Sequence, residues 1–453
     1  MEGQDLHVMM FPFFAFGHIS PFVQLADALS LHNVHVTLLS ASSNIPRIAS
    51  LSTTTSSFDI LTVDIPPIDG LPPSLHSTSD MTFDMSELLK LAVDAMKPQI
   101  HHILSIHKPH IILHDFSHHW MSSVASPLGV KTLFFSVFSA LSSAFLTGPD
   151  RRDSDLRLPP PGFPTSSSVK SIDPHEASDM RYVFMSFHGG PSVYDRVTQS
   201  MRDCDAIVCK SCREMEGPYI DYLSNRYGKP VLLTGPLLVQ DPATEGGLDR
   251  EWKEWLDGFE EGSVVFCSFG SETFLDRTQI EELVTGLENT GLPFSVVLNF
   301  PKEGGRPRLK EMLPEGFEER VKGRGRVREG WTPQKGIMAH ASVGCYVTHA
   351  GLSSVMEGLI SGCRLVLLPM RGDQFFNARL CEGDLGVGVK VGRDGESGGF
   401  DREGVREAVV EAVKKGKGEG EKWRGLLVDG GLREGYVREL VRGMKGLVGG
   451  LNV

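Results

Sequence analysis

Short and almost continuously apolar runs alternate with segments of helical periodicity along the whole chain. In the first half, LHVMMFPFF and VHVTLLSA flank SPFVQLADALSLHN, in which apolar residues recur at helical spacing. SVVFCSFG and FSVVLNF flank DRTQIEELVTGLENTG in the same way in the second half. Strands that are apolar on both faces are typical of parallel sheets covered by helices on both sides. The pattern therefore predicts two doubly wound α/β domains in tandem.

The length and the polar stretches predict where the domains end. A chain of 453 residues is longer than one core usually serves. The Gly- and Pro-bearing stretch VQDPATEGGLDR predicts a linker at 239–252, between domains at 1–238 and 253–430. For residues 431–453 the sequence predicts a C-terminal helix that packs back on the N-terminal domain. The Pro- and Ser-rich stretch 151–175 predicts a surface loop.

Charge and cysteine content exclude several classes of partner. The net charge of −12 repels nucleic acid and anionic membranes, so an anionic ligand has to be held by local groups. The N-terminus lacks the features of a signal peptide and no apolar stretch reaches about 18 residues, so we expect a cytoplasmic protein without a membrane segment. The seven scattered cysteines fit a reducing compartment. Cys209 and Cys212 form a CxxC without a second pair, and we interpret both as ordinary residues.

The segment from Trp331 to Gln374 contains the most informative polar residues. Trp331 follows the strand-like RGRVREG and offers a flat face to a planar ring. Gln334, three residues later, can both donate and accept hydrogen bonds, as the edge of a base or a sugar requires.

A strand, a turn and a helix follow in the same segment. The strand-like GCYVT ends at His349, Gly351 lies in the turn, and Ser353 and Ser354 fall in the first turn of a helix that begins near Leu352. Helix N-termini bind phosphate through unpaired N–H groups and the helix dipole. The pattern predicts an anion site at this turn.

Three further polar residues suit hydroxyl groups. Glu357 lies one helical turn beyond the two serines, where a carboxylate is poor for phosphate and suited to the vicinal hydroxyls of a ribose. The strand-like RLVLLPM leads to Asp373 and Gln374, which are suited to sugar hydroxyls. The segment therefore contains, in order, a ring that can stack, a group for the edge of a base or sugar, a phosphate-binding turn and groups for hydroxyls. This order predicts a binding site for an extended nucleotide-sugar.

This segment resembles the plant secondary-product glycosyltransferase box of the family 1 UDP-sugar-dependent glycosyltransferases. Its frame W-x-P-Q, H-x-G-x-x-S, E and D-Q is complete, and SFGSET resembles the family's other phosphate loop. The resemblance implies the GT-B fold, with two facing Rossmann-like domains and a cleft between them. It also implies an inverting transfer from a UDP-sugar, which acts as co-substrate without a metal or another cofactor.

The resemblance also implies a role for each residue of the donor site. Gly351 and Ser353 belong to the same turn. Trp331 stacks on uracil, Gln334 and Glu357 bind ribose, His349 and Ser354 bind the diphosphate, Ser271 lies near it, and Asp373 and Gln374 bind the sugar.

The sequence departs from the family pattern within the turn. Ala350, Leu352 and Ser353 stand where the family commonly has Cys, Trp and Asn. FGSET, GLPF, LPEGFEER and GDQFFNARL resemble the subgroup that extends sugars on flavonoids, anthocyanins or related glycosides. By the resemblance Gln374 favours UDP-glucose, while xylose and rhamnose remain alternatives.

His18 and Asp115 are the candidate catalytic residues. Each follows an apolar strand-like run, and His18 lies near the end of the first one. A histidine has a pKa near working pH and a carboxylate can hold its tautomer, yet from its position alone His18 is better explained as a turn residue. The resemblance implies a His–Asp dyad at these two motifs.

Other polar residues near these motifs keep a structural interpretation. Histidines cluster around Asp115, and because His114 lies in a strand, His114 and His118 do not share a helical face; we expect no metal. Ser139 either contacts the transferred sugar or caps a helix. Arg371 is interpreted as a loop residue.

The resemblance thus implies transfer of a hexose or pentose, glucose first, from a UDP-sugar to a sugar hydroxyl of a flavonoid or terpenoid glycoside. Transfer to the hydroxyl of an aglycone is the alternative within the same class. A nucleotide-sugar epimerase and a non-catalytic metabolite binder are alternatives of another class.

Overall fold

Two separate parallel sheets carry the strands of this chain. The computed structural model describes residues 6–51, 58–73, 76–78, 81–148, 150–237, 248–270, 273–300, 309–416 and 418–449. The first sheet has the order β3-β2-β1-β4-β5-β6-β7 and the second the order β10-β9-β8-β11-β12-β13. The strands are β1 Leu6–Phe11, β2 Val34–Ser40, β3 Asp59–Thr62, β4 Ile111–His114, β5 Lys131–Ser136, β6 Ala206–Cys209, β7 Val231–Leu233, β8 Val264–Ser268, β9 Phe294–Leu298, β10 Gly325–Glu329, β11 Val343–Thr348, β12 Arg364–Leu367 and β13 Val389–Lys390.

Helices connect the strands, as the alternating pattern predicts. None of those in the described part of the chain combines the length and the apolar content needed to cross a bilayer. They are α1 Phe16–Ser30, α2 Ile45–Leu51, α3 Phe83–Ala95, α4 Lys97–His107, α5 Met121–Ala125, α6 Ala140–Leu146, α7 Pro174–Met180, α8 Val193–Asp203, α9 Arg213–Tyr227, α10 Arg250–Leu256, α11 Arg277–Asn289, α12 Leu309–Met312, α13 Phe317–Arg320, α14 Gln334–Ala339, α15 Leu352–Ile360, α16 Gln374–Arg379, α17 Arg402–Lys415, α18 Gly418–Val428 and α19 Gly430–Val448.

Every described strand pair is parallel, which confirms the predicted doubly wound architecture. β1 pairs with β2 and β4 in the first sheet, and β8 pairs with β9 and β11 in the second. The central strands are buried along their whole length because helices cover both faces. In each sheet the order of strands reverses beside the first strand, at β1/β4 and at β8/β11. Open parallel sheets bind ligands beyond the carboxyl ends of the strands at such a reversal.

The chain forms two compact units that do not follow the predicted domain boundaries throughout. The first contains residues 1–166, 180–239 and 429–453, and the second contains 167–179 and 240–428. Residues 167–179, which the sequence places in the first domain, therefore cluster with the second unit, and the C-terminal helix clusters with the first. Most of the linker predicted at 239–252 lies outside the described residues, and α10 begins within its last part.

Three local predictions differ from the structure. The strand predicted through LHVMMFPFF ends at Phe11, and α1 begins at Phe16, so His18 lies in the first turn of a helix. The helical periodicity of FDMSELLKLAVDAMKPQIHHIL predicts one long helix, but the structure divides it at Met96, because Pro98 is accommodated in the first turn of α4 and not in the interior of a continuous helix. The surface loop predicted at 151–175 is not a loop throughout, because α7 begins at Pro174. Its last part, from residue 167 onward, belongs to the second unit.

The cysteines are core residues of the two sheets and their helices. All seven are buried, and none forms a disulfide. Burial raises the pKa of the Cys212 thiol to about 12 and that of Cys209 beyond this, so both remain protonated at neutral pH. The environment agrees with the ordinary role that the sequence predicts for this CxxC.

Helix α19 packs on the sheet of the first unit, although more than 190 residues separate it from β7 in the chain. Val437, Leu440, Val441 and Met444 are buried in the same apolar cluster as β1 and α1. The Tyr436 hydroxyl donates to Glu214 at 2.7 Å and accepts from the backbone N–H of Arg213 at 2.9 Å. The helix is therefore part of the core of this unit.

Met444→Ala is expected to destabilise the unit that contains α19. Truncation of a fully buried methionine removes apolar contacts and leaves a cavity, at a cost of about 2–5 kcal/mol. Calorimetry should show a decrease of at least about 4 °C in the unfolding temperature. Arg442→Ala changes an exposed residue of the same helix and serves as control. Equal unfolding temperatures for the two variants would contradict the core role of α19.

Candidate active site

His18 and Asp115 form a hydrogen-bonded pair in the first unit. The chain turns from β1 into α1, which brings His18 into the first helical turn, and Asp115 directly follows β4, the neighbour of β1. The imidazole Nδ1–H donates to the Asp115 Oδ2 over 2.8 Å. The Asp115 side chain is 1% exposed and that of His18 is 14% exposed. With Nδ1 holding the carboxylate, Nε2 is the ring nitrogen that can accept a proton.

Asp115 is ionised despite its burial. Burial alone raises the pKa of a carboxyl group, but the charge and hydrogen bond of His18 oppose this effect. The backbone N–H of Phe13 donates to Oδ2 at 3.1 Å, and that of Phe116 donates to Oδ1 at 2.7 Å. Together these groups hold the pKa of Asp115 below its usual value. A fixed negative charge therefore lies against the His18 ring.

The histidines next to Asp115 in sequence are buried and neutral. Burial lowers the pKa of His114 to about 4 and that of His118 to about 3, and it also lowers the pKa of His119. His119 Nδ1 lies 3.2 Å from the Arg196 guanidinium, which also binds Asp94. These three rings are thus part of the packed interior. No group of three or more metal-ligating side chains occurs among the described residues.

The second unit brings the predicted ring stacker and ribose binders to one end of its sheet. Trp331 follows β10 and its side chain is 89% exposed. Gln334 begins α14, where its amide oxygen accepts from the Ser268 hydroxyl at 2.9 Å and its amide nitrogen donates to Glu357 Oε2 at 2.9 Å. Gln334 and Glu357, predicted as partners on the ribose, are therefore in direct contact.

The predicted strand, turn and helix around His349 are confirmed. β11 ends at Thr348 and α15 begins at Leu352, with Gly351 at the N-cap position and no side-chain cap. Ser353 and Ser354 lie in the first helical turn. Ala350 has φ of 61°, a left-handed conformation that is uncommon for a residue with a side chain. The turn is thus tight and directs the first N–H groups of α15 outward from the helix end.

The His349 ring lies against bare backbone of two glycines. A Cβ on Gly351 would stand 2.6 Å from Nε2 and one on Gly270 would stand 3.1 Å from Cε1, so a side chain at either position would require the ring to shift. Burial, followed by the charge of Arg371, lowers the pKa of His349 to about 4. Its Nδ1 is buried and contacts no hydrogen-bond partner within the described part of the chain. His349 is therefore a neutral ring that can donate one hydrogen bond.

Asp373 and Gln374 lie at the start of α16. The Gln374 amide oxygen accepts from the backbone N–H groups of Met370 at 2.9 Å and Arg371 at 3.1 Å. Asp373 Oδ2 accepts from Asn377 Nδ2 at 2.9 Å. The loop conformation therefore sets the direction of both side chains, and the amide nitrogen of Gln374 is the half suited to donate to a ligand.

Asn377 is a structural residue of this site that the sequence did not reveal. It is fully buried, and its amide nitrogen also donates to the carbonyl of Ala350 at 3.1 Å, which links the start of α16 to the His349 turn. The i, i+4 spacing from Asp373 was the available signal, because residues one helical turn apart face each other.

The remaining predicted residues have simpler outcomes. Ser271 lies outside the described residues. Ser139 caps α6 by accepting from the backbone N–H of Ser142 at 3.2 Å, which agrees with the N-cap alternative. Leu352 is buried and packs within the second unit. Arg371 is exposed on its loop.

Known proteins resemble this chain over nearly its whole length. The family model described as UDP-glucoronosyl and UDP-glucosyl transferase matches residues 243–397. The anthocyanidin-3-O-glucoside rhamnosyltransferase of Petunia hybrida is 46% identical, over 98% of this chain and 97% of the relative. The anthocyanidin 3-O-glucoside 2'''-O-xylosyltransferase of Arabidopsis thaliana is 37% identical, over 99% and 98%.

Solved structures match the fold over nearly the whole chain. Arabidopsis thaliana UGT89C1 complexed with UDP-L-rhamnose has a TM-score of 0.78 at 24% identity, covering 98% of this chain and 99% of the other. Glycyrrhiza uralensis UGT73P12 complexed with glycyrrhetinic acid 3-O-monoglucuronide has a TM-score of 0.77 at 23% identity, covering 98% and 96%. These matches confirm the predicted GT-B class, in which two Rossmann-like α/β domains occur in one chain.

The buried neutral histidines predict a loss of stability in acid. The pKa of His118 is about 3 in the native state against 6.5 without burial, so the unfolded state binds the proton first. Its contribution is fully present above pH 6.5 and is lost as the pH falls towards 3. His118→Gln should therefore flatten the pH dependence of the free energy of unfolding by up to about 1.4 kcal/mol per pH unit. Urea titrations at about pH 4 to 7 measure this slope, because most of the interval between the two pKa values of His118 lies in this range.

The matched control for this measurement is His102→Gln, which changes an exposed histidine of the same unit. The control should keep the slope of the native sequence. A His118→Gln slope that equals the control slope would show that His118 is protonated in the folded protein.

Proposed function

Because the chain belongs to the UDP-glucoronosyl and UDP-glucosyl transferase family and is a UDP-glycosyltransferase, we propose that it transfers a hexose or pentose to a sugar hydroxyl of a flavonoid glycoside. Two of its relatives are named for action on anthocyanidin 3-O-glucosides, one with rhamnose and one with xylose. The shared part of these names is the acceptor class. We therefore take an anthocyanidin 3-O-glucoside as the first acceptor to test.

The catalytic part of the proposal rests on one observation. His18 Nδ1 forms a 2.8 Å hydrogen bond with the buried, ionised Asp115. A metabolite binder has no need for a histidine held in one tautomer by a charged carboxylate. A transferase needs such a group, because the attacking hydroxyl must lose its proton as the glycosidic bond forms.

In the proposed reaction His18 Nε2 takes the proton from the acceptor hydroxyl. The hydroxyl oxygen attacks the anomeric carbon of the donor sugar, and the bond from that carbon to the UDP oxygen breaks. A single displacement of this kind inverts the anomeric configuration. The charge of Asp115 stabilises the imidazolium formed, and the UDP leaves with the electron pair of the broken bond.

The His349 turn is the proposed site for the leaving diphosphate. The N-terminus of α15 offers backbone N–H groups and the positive end of the helix dipole to an anion. The neutral ring of His349 adds a donor without a titrating charge. These groups suit the stabilisation of a departing diphosphate by the protein itself, so activity in the presence of EDTA is expected.

Trp331, Gln334 and Glu357 are proposed to hold the uridine. The exposed indole suits stacking on uracil, and the contact between Gln334 and Glu357 places an amide and a carboxylate together for the ribose hydroxyls. Asp373 and Gln374 are proposed to bind the donor sugar, and the preference for glucose implied by Gln374 remains a prediction.

A panel of UDP-glucose, UDP-rhamnose and UDP-xylose with an anthocyanidin 3-O-glucoside tests the proposal. Mass spectrometry should detect a diglycoside with one of the donors, together with UDP release. Product only with the free anthocyanidin would favour the aglycone alternative. Conversion of the UDP-sugar without any acceptor would favour an epimerase.

His18→Ala is expected to reduce kcat/KM for transfer by about 10²- to 10⁴-fold, because the reaction loses its general base. Asp115→Asn should also reduce kcat, since an amide does not stabilise the imidazolium as a carboxylate does. His35→Ala is the matched control: His35 also contacts a carboxylate, Asp59, at 2.9 Å, but on the surface. Full activity in His18→Ala would remove His18 as the base.

Trp331→Ala is expected to weaken UDP binding by about 5- to 100-fold, the effect typical of removing an aromatic ring from a stacked base. Trp331→Phe keeps a ring and should recover most of the affinity. Isothermal titration calorimetry with UDP measures both, and Ile106→Ala, which truncates another exposed apolar side chain, provides the control. Unchanged affinity in Trp331→Ala would exclude the stacking role.

A further inference from the structure

A segment that enters the second unit from the first half of the chain packs beside the proposed sugar-binding residues. Residues 167–179, called here the crossover segment, cluster with the second unit, whereas the chain before and after them belongs to the first. The segment includes most of α7. Nothing in its Pro- and Ser-rich sequence context indicates a role in donor binding.

The first group of contacts involves the loop before Asp373. The backbone N–H groups of Met370 and Arg371 donate to the Gln374 side chain. The next N–H, that of Gly372, donates to Asp179 Oδ2 of the crossover segment at 2.8 Å. Three successive N–H groups of this loop are therefore held by two side chains, one from α16 and one from the crossover segment.

The second group of contacts involves α16. The His175 ring meets the Phe375 ring edge to face, with centroids 5.6 Å apart. Arg379, the last residue of α16, binds Glu176 and also Asp173, the latter at 3.2 Å. The crossover segment thus contacts the loop before the helix, its first turn and its last residue.

The arrangement has a consequence for the sugar binders. Gly372 has φ of 62°, a conformation in which glycine is free to move to other regions once a restraint is lost. Removal of the Asp179 oxygen leaves a buried N–H without a partner, which favours rearrangement of the loop. Asp373 and Gln374 follow Gly372 directly, so their side chains would move with it.

We propose that the crossover segment positions the donor-sugar subsite, with Asp179 as the positioning residue for Asp373 and Gln374. The inference rests on the proposed function of these two residues in sugar binding. Asp179 acts through the loop and makes no contact with the sugar itself. Uridine binding, assigned to Trp331 and Gln334, does not depend on it.

The test compares Asp179→Ala, Asp179→Asn and the control Ser178→Ala, an exposed neighbour in the same segment. The probes are UDP and the UDP-sugar that the native enzyme uses best in the donor panel. Asp179→Ala should raise KM for the UDP-sugar and weaken its binding by about 5-fold or more, while the Kd for UDP changes less than about 2-fold. Asp179→Asn keeps an acceptor oxygen for the Gly372 N–H and should restore most of the UDP-sugar affinity.

Two further measurements exclude a trivial loss of folding. Thermal unfolding of each variant checks that the second unit is intact, and Glu176→Gln, which weakens the contact with Arg379 while keeping the side-chain shape, should show the same selective loss on the UDP-sugar. Equal weakening of UDP and UDP-sugar, or unchanged affinity for both in Asp179→Ala, would overturn the inference. A native protein that binds neither UDP nor any UDP-sugar would instead contradict the proposed function.

Discussion

The reversal of strand order in each parallel sheet is the constraint on which the candidate site depends. In the first sheet the connections leave β1 and β4 in opposite directions, and in the second they leave β8 and β11 in the same manner. In each sheet an opening therefore remains beyond the carboxyl ends of these two strands. In the first sheet the chain after β1 carries His18 and the chain after β4 carries Asp115. In the second, Gly270 follows β8 and His349 follows β11. One topological feature, used twice, therefore brings together residues that are about 80 to 100 positions apart in the sequence.

The two histidines at these positions differ because their surroundings differ. His18 contacts an ionised carboxylate that is itself held by two backbone N–H groups, so a positive charge on the ring has a fixed counter-charge. His349 is buried against glycine backbone with a positive Arg371 as its charged neighbour, and its pKa falls to about 4. The first environment suits proton transfer and the second suits a neutral donor to an anion. Residue type alone does not distinguish them.

The parts of the structure that short-range patterns determine could be predicted from the sequence. Apolar runs gave the parallel sheets, and the strand, turn and helix at 343–352 followed from spacing around His349. The resemblance supplied the pairing of His18 with Asp115, since position alone favoured a turn residue. The break between α3 and α4 at Met96, the packing of Asn377 on Ala350 and the membership of residues 167–179 in the second unit were missed. Pro98 was a local signal for the first, but the other two depend on long-range contacts that no periodicity encodes.

In the second unit, the motif region alone does not determine the conformation of the loop proposed to bind the donor sugar. Its polar residues lie between Trp331 and Gln374, yet the loop that carries Asp373 and Gln374 is held by Asp179, almost 200 positions earlier. Glu176 and Asp173 fix the far end of α16 from the same segment. Two chains with identical motif residues can therefore hold Asp373 and Gln374 in different orientations if residues 167–179 differ. Under the proposed role of these two residues in sugar binding, such a difference would change which sugar fits, because hydroxyl recognition depends on the direction of each hydrogen bond.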